Sequence, residues 1–245
     1  MENNNLDEIH ELEWDTDFFG IDSYKCTISE IEQLEKIVDF VNDKDRLFFT
    51  VINQDNQNCI NYKIPQLLGK YSFLADINMN LKKNIEKHNL NLRDDITIEI
   101  TNNLEPNEQV VSLAQNFKYS RFFNDERLGE QRFKLYHNWI ANAFRKEDKY
   151  YVLAKVDEKI VGFILFSHNG NESVTIELTV VNKNYQSKGI GNYMFTALDN
   201  YLNGKGVPIV YVGTQVSNIA AINFYFKQGF KINKINSIYH IVKKG

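Results

Sequence analysis

Tyr185-Gln186-Ser187-Lys188-Gly189-Ile190-Gly191 lies between a β-like run and an amphipathic run and has the composition of a phosphate-binding loop. Gly189 and Gly191 let the backbone turn tightly and approach a ligand with no Cβ in the way. The helix that follows presents free N–H groups and the positive end of its dipole to anionic oxygens. Backbone amides from Gln186, Ser187, Lys188, Gly189, Ile190 and Gly191 would cradle a pyrophosphate, with Lys188 adding charge. The chemistry implied is the binding of a phosphorylated cofactor. Gly-x-Gly also serves ordinary strand-to-helix turns, so the residues downstream decide between the two readings.

Downstream, Thr214 to Phe230 reads as a strand end, a capped helix over about residues 219 to 228 and a glycine stop. Ser217 or Asn218 can cap the first turn, Gly229 can adopt the left-handed conformation past the end, and Phe230 can fold back onto the helix. The QxxGxG loop followed about thirty residues later by NxxAxxFYxxxGF resembles the two signature motifs of the GNAT superfamily of acyl-CoA-dependent N-acyltransferases.

That resemblance implies acetyl-CoA as acyl donor and no metal. Acyl transfer from a thioester to an amine requires CoA to be held, the attacking amine to be neutral and the leaving thiolate to be protonated. By the resemblance, two strands splay after Val180 and near Val212, and the backbone of Leu178, Thr179, Val180 and Val181 contacts the pantetheine arm. Tyr225 falls at the motif's tyrosine, where a phenol protonated at neutral pH would serve as general acid; a tyrosine there can equally well be packing the helix. Asn218 would contact the cofactor as well as cap. Glu177 occupies a place where some members carry a carboxylate that removes the amine proton through water, although a strand glutamate can also be a solvated face. Histidine supplies no stronger candidate: His10, His88, His137, His168 and His240 read as structural or exposed.

Regular elements must position these groups. Ser29-Glu30-Ile31-Glu32 reads as a capping box, with Ile31, Leu34, Val38 and Val41 at helical spacing. Leu47 to Ile52, Tyr71 to Ala75 and Ile96 to Thr101 read as strands of a small mixed sheet. Asn102 to Pro106, rich in turn formers, is the expected boundary between domains 1–105 and 106–245. Beyond it, the pattern predicts a short helix over Glu108 to Ala114 and a longer one with Phe133, Tyr136, Ile140 and Phe144 buried. Strands follow over Tyr150 to Val156 and Ile160 to Phe166, joined through Asp157-Glu158-Lys159, and over Ser173 to Val180. Ile190, Met194, Leu198 and Tyr201 mark the helix after the loop, and Pro208 to Val212 the next strand. This order matches a GNAT core: α/β with a mixed, largely antiparallel sheet flanked by helices, preceded by a smaller truncated GNAT-like α/β domain.

Composition narrows the partners. A chain of 245 residues with 28 basic and 32 acidic side chains carries a formal net charge of −4 and no run of Lys and Arg interleaved with aromatics. Nucleic acid is not an expected partner. Cys26 and Cys59 match neither a zinc site nor a disulfide framework, so a reducing cytoplasm is expected. No apolar stretch approaches bilayer length, so no membrane partner is expected.

Leu12-Glu13-Trp14-Asp15-Thr16-Asp17-Phe18-Phe19-Gly20, Ser120-Arg121-Phe122, and Arg132-Phe133 through Trp139 to Ala143 resemble the TDP-fucosamine acetyltransferase family. The resemblance implies acetylation of the 4-amino group of a dTDP-4-amino-4,6-dideoxyhexose of galacto configuration, for bacterial surface polysaccharide. The first segment itself reads as a strand and turn anchoring the amino-terminal domain. Arg121 would bind a nucleotide-sugar phosphate, a task suited to guanidinium, or form a surface salt bridge. Phe122 would stack on thymine or simply pack. A homodimer is common among such relatives. Two alternatives stay open: a GNAT enzyme acting on a protein N-terminus, lysine or small amine, and a CoA-binding module without turnover.

Overall fold

The computed structural model describes residues 9–54, 60–87, 93–102 and 104–244. In the amino-terminal part, β1 (His10–Glu11), α1 (Glu13–Phe19), β2 (Ser23–Ile28), α2 (Gln33–Asp43), β3 (Arg46–Asn53), α3 (Ile60–Leu68) and β4 (Ser72–Asn84) follow in turn. After β5 (Thr97–Asn102) come α4 (Glu108–Ser112), α5 (Leu135–Ala143), β6 (Lys149–Val156), β7 (Lys159–Asn169) and β8 (Ser173–Val181). The chain closes with α6 (Ile190–Gly204), β9 (Ile209–Gln215), α7 (Ile219–Lys227) and β10 (Lys231–Lys244). His88 and Cys59 lie outside the described residues.

Among the described residues one ten-stranded sheet runs in the order β1-β2-β3-β10-β4-β9-β8-β7-β6-β5. Pairing is antiparallel except for β2 with β3 and β8 with β9. Each parallel pair is joined by a helix, α2 or α6, because parallel neighbours need a crossover. The fold is therefore α/β with a mixed, largely antiparallel sheet flanked by helices. The sheet is continuous across residue 105: β5, before that point, is hydrogen-bonded to β6 beyond it, and β10 lies between β3 and β4. β5 stops at Asn102, where the turn formers of the sequence begin, while hydrogen bonding, which ignores chain order, decides which strand β5 joins.

Apolar alternation places the cores. On one face α6 and α7 cover Val152, Ile164, Phe166, Val174 and Ile176. On the other, α4 and α5 cover Tyr151, Phe163, Leu165, Leu178 and Val180. A third cluster packs α2 and α3 on β2, β3 and β10.

Several local expectations change. The Leu12 to Gly20 segment is a helix, α1, closed by Gly20 at φ 64° with its N–H on Thr16 O; Trp14 and Phe18 stack one turn apart, which an i, i+4 spacing allows and a strand would not. At α2 the cap runs backwards: Gln33 Oε1 accepts from the Ser29 and Glu30 amides, both at 2.9 Å. Phe133 is 55% exposed because residues 130–134 form a 3-10 turn that takes it out of register with the α5 face. The β6–β7 hairpin is a two-residue turn with Asp157 and Glu158 at φ 48° and 62°, the left-handed pair that matches strand twist.

Candidate active site

The parallel pair β8/β9 is hydrogen-bonded only from Ser173↔Ile209 to Ile176↔Val212. Past that point β9 stays on β4, from Gly213↔Asn80 to Gln215↔Asn78, and β8 stays on β7 through Val181↔Gly162. Both strands are held from outside while their facing edges part. An extended molecule can enter such a gap as an added strand. Gly162 supports β8 from behind, since a Cβ there would stand 2.9 Å from Val180 O.

A bulge at the mouth of the gap sets which side chains face it. Pairing with β7 jumps from Ile176↔Phe166 to Leu178↔Leu165, leaving Glu177 as the extra residue. An extra residue reverses the alternation of faces. Val174 and Ile176 point to the α6/α7 side, whereas Leu178 and Val180 point to the α4/α5 side, which turns Thr179 and Val181 towards α6 and α7. Thr179 thereby meets Tyr225.

Tyr225 is buried on α7 among the rings of Phe195, Phe224 and Phe230, at centroid distances of 6.0, 5.8 and 5.6 Å. Burial pushes its phenol above the ordinary range, and the neighbouring Thr179 hydroxyl works the other way. Thr179 Oγ1 is buried and completes no hydrogen bond of normal geometry. Asn218 caps α7, its Oδ1 accepting from the Ala221 amide at 3.2 Å. Gly229 at φ 85° closes the helix, with Phe230 N–H on Tyr225 O at 3.1 Å.

The turn after β8 is tied by Gln186, whose Nε2 donates to Val181 O at 2.9 Å. Ser187 and Gly189 hold φ of 61° and 80°, and α6 starts at Ile190 with no side chain capping it. The first-turn amides of such a helix lack intrahelical acceptors. Gly191 has a second reason to be glycine: a Cβ there would stand 3.1 Å from the Phe224 ring, so it also lets α7 pack against α6.

Glu177 faces the α5 side. Its Oε1 takes Lys149 Nζ at 2.5 Å and the Ser167 hydroxyl, and its Oε2 takes Trp139 Nε1 at 3.2 Å. Trp139 and Lys149 also line a cavity of about 340 Å³, with Trp14, Asp15, Arg121, Phe122, Leu135, Asn142, Ala143 and Lys146. The Arg121 guanidinium lies 4.4 Å over the Phe122 ring, and its Nε is buried without a hydrogen-bond partner. Burial pushes Arg121 below its ordinary pKa, opposed by Asp15 and Asp76; burial raises Asp15 and brings Asp76 up to about 6, opposed by Arg121. Phe122 is buried against Phe19 and Phe48 at 5.7 and 6.2 Å, so its outer face does the packing that anchors α1.

His240 is fully buried. Its Nδ1 lies 3.0 Å from Asp125 Oδ2, and Asp125 is in turn paired with Arg127 at 2.8 Å. Among the described residues no group of three or more His, Cys, Asp and Glu could hold a metal ion, and no helix is long and apolar enough to cross a membrane. Trp14, Asp15, Trp139 and Asn142 lie in the segments that carry the family resemblance but were not read as cavity lining, and Lys146 and Lys149 lie outside those segments.

The acetyltransferase (GNAT) family pattern matches residues 111–230, which hold the bulged strand, the loop and α7. This segment belongs to the GNAT acetyltransferases. Curated relatives of this chain include the spore coat polysaccharide biosynthesis protein SpsD of Bacillus subtilis, 24% identical over 55% of this chain and 47% of that protein. An uncharacterized N-acetyltransferase of Methanocaldococcus jannaschii is 30% identical over 37% of this chain and 58% of its own length. The matches thus span about half the length of these relatives. The crystal structure of a GCN5-related N-acetyltransferase from Sphaerobacter thermophilus superposes on 97% of this chain and 76% of its own with a TM-score of 0.64 at 9% identity, a likeness of GNAT fold.

Proposed function

We propose that this protein transfers an acetyl group from acetyl-CoA to the 4-amino group of a dTDP-4-amino-4,6-dideoxyhexose, of galacto configuration, for bacterial surface polysaccharide. The observation that carries the reading is the place of Glu177: it sits at the bulge where the β8/β9 gap opens and reaches the wall of the cavity through Trp139 and Lys149. Donor gap and acceptor cavity meet at one carboxylate.

The gap fits acetyl-CoA, because an extended pantetheine arm finds the free edge of Leu178 to Val181 and the phosphates find the α6 amino terminus with Gln186 to Gly191. Acetyl-CoA supplies a thioester carbon open to attack. The acceptor nitrogen forms the C–N bond as the C–S bond breaks, Tyr225 gives its proton to the departing sulfur, and Glu177 takes the amine proton through water. Burial suits Tyr225 to this task by keeping it protonated until a thiolate forms beside it. Asn218 orders the first turn of α7 and so the ring above it.

Arg121, Lys146 and Lys149 line the cavity with Asp15; Asp15 and Asp76 oppose the charge of Arg121 and Glu177 that of Lys149, and Trp14 and Trp139 form flat apolar walls. Such a lining favours an acceptor carrying phosphate and a base over a cationic peptide. The name of SpsD, a polysaccharide biosynthesis protein, supports the same class. The test is thiol release from acetyl-CoA with dTDP-4-amino-4,6-dideoxygalactose, its gluco epimer and a lysine peptide as parallel acceptors, each product weighed by mass spectrometry. Acetylation of the galacto sugar alone is expected; reaction of the peptide alone would overturn the sugar reading.

A further inference from the structure

The phosphate loop begins with an uncharged residue, and Gln186 is already engaged on Val181 O. Lys188 directs its ammonium over the Tyr185 ring at 5.0 Å. A cation reaches the same place from far away in the chain. Arg93, just before β5, donates from Nη1 to Lys188 O at 2.7 Å across a sequence separation of 95 residues. Its Nε and Nη2 are gripped by Asp95 Oδ1 and Oδ2 at 3.0 and 2.8 Å. A Cβ on Gly189 would stand 3.3 Å from Nη1, so the guanidinium lies against the residue that opens α6. The Arg93 amide also meets the Tyr193 hydroxyl at 3.4 Å, one turn into that helix.

A guanidinium carries five N–H donors in a fixed plane. Three are engaged by Asp95 and Lys188 O, leaving one on Nη1 and one on Nη2, and the side chain is 34% exposed. Asp95 fixes the plane, Gly189 leaves room for it, and the α6 amino terminus points its amides to the same spot. We infer that Arg93 is the cation of the donor's phosphate site, replacing from outside the loop the charge that Gln186 lacks, with Asp95 as its positioning residue. This rests on acetyl-CoA being the donor. The ligand chemistry is a phosphate oxygen, belonging either to the pyrophosphate or to the 3′-phosphate of CoA.

The experiment titrates the full chain and its Arg93→Gln, Arg93→Lys and Asp95→Asn variants with CoA, 3′-dephospho-CoA and phosphate-free pantetheine, by calorimetry or, for weak binding, by NMR. Charge-assisted hydrogen bonds imply that Arg93→Gln weakens CoA binding by about ten-fold or more. Arg93→Lys should recover part of the loss, Asp95→Asn should fall between, and pantetheine should bind all four proteins alike. Loss for CoA but not dephospho-CoA assigns the 3′-phosphate; equal loss for both assigns the pyrophosphate. Unchanged CoA binding in Arg93→Gln overturns the inference. So does an equal loss for pantetheine, which would make Arg93 an anchor of the loop through Lys188 O. If the unaltered chain binds neither CoA nor dephospho-CoA, the donor reading itself fails, an outcome visible before any variant is compared.

Discussion

Tyr225 shows how neighbours fix the place of one side chain. Three rings hold it, and the hydroxyl that faces it, Thr179 Oγ1, is brought there by a single extra residue in β8. Replacing Tyr225 by Phe keeps the ring and removes the hydroxyl proposed as the acid. Turnover is expected to fall about 100-fold with acetyl-CoA affinity unchanged, measured by saturating-rate thiol release and by calorimetry. An equal loss of affinity would make the hydroxyl a binding group. The place of Tyr225 on α7 was legible because the glycine stop and the asparagine cap flank it at fixed offsets. Arg121 and Phe122, read from the sequence as substrate contacts, line the cavity, but the rest of its wall was not legible, because Trp14, Asn142 and Lys149 converge only after α1, α5 and β6 have packed.

Elements were legible where a periodic signal and a stop coincide. The α6 face of Ile190, Met194 and Leu198 and the α7 cap emerge where the spacing predicts them. Errors gather where two patterns compete. The aromatic-rich Leu12 to Gly20 segment suits a strand by propensity, yet its ring pair needs a helical turn. Tyr71 to Ala75 reads as a short strand, but β4 extends to Asn84, its second half polar outside and held by β9 and β10. Gly191 invites a test at this scale. Gly191→Ala places a Cβ against the Phe224 ring between α6 and α7, and overpacking of this kind costs about 1–3 kcal/mol. A lowered urea midpoint with unchanged slope is expected; an unaltered midpoint would show that the helices separate freely and that the glycine serves the loop alone.

Across the whole molecule, charge is buried where the two parts of the chain meet. Lys83 of β4 pairs with Asp199 of α6, both nearly inaccessible. His240 of β10 is held by Asp125 from the segment before α5, and burial lowers the imidazole to about 4 while His240 and Arg127 hold Asp125 down at about 2 against burial. The unfolded chain takes up a proton at the ordinary histidine pKa near 6.5, whereas the folded chain resists until about 4. Stability is therefore fully present above pH 6.5 and lost as pH falls towards 4, by roughly 3 kcal/mol from this group. Asp76, raised to about 6, works in the opposite sense over the same range, so the His240 contribution is read as the difference in chemical denaturation between the unaltered chain and His240→Asn from pH 7 to 4; a difference that does not change with pH would place the titrating group elsewhere.

β10 is the strand that β3 and β4 wait for. β10 hydrogen-bonds to both, so until Lys231 to Lys244 has emerged the amino-terminal half has two open strand edges and no central partner. Such edges template pairing with other chains. The nascent protein thus completes its first half only once β10 has been made, and a chain cut short after Phe230 is expected to aggregate although every residue of its loop and of α7 is present.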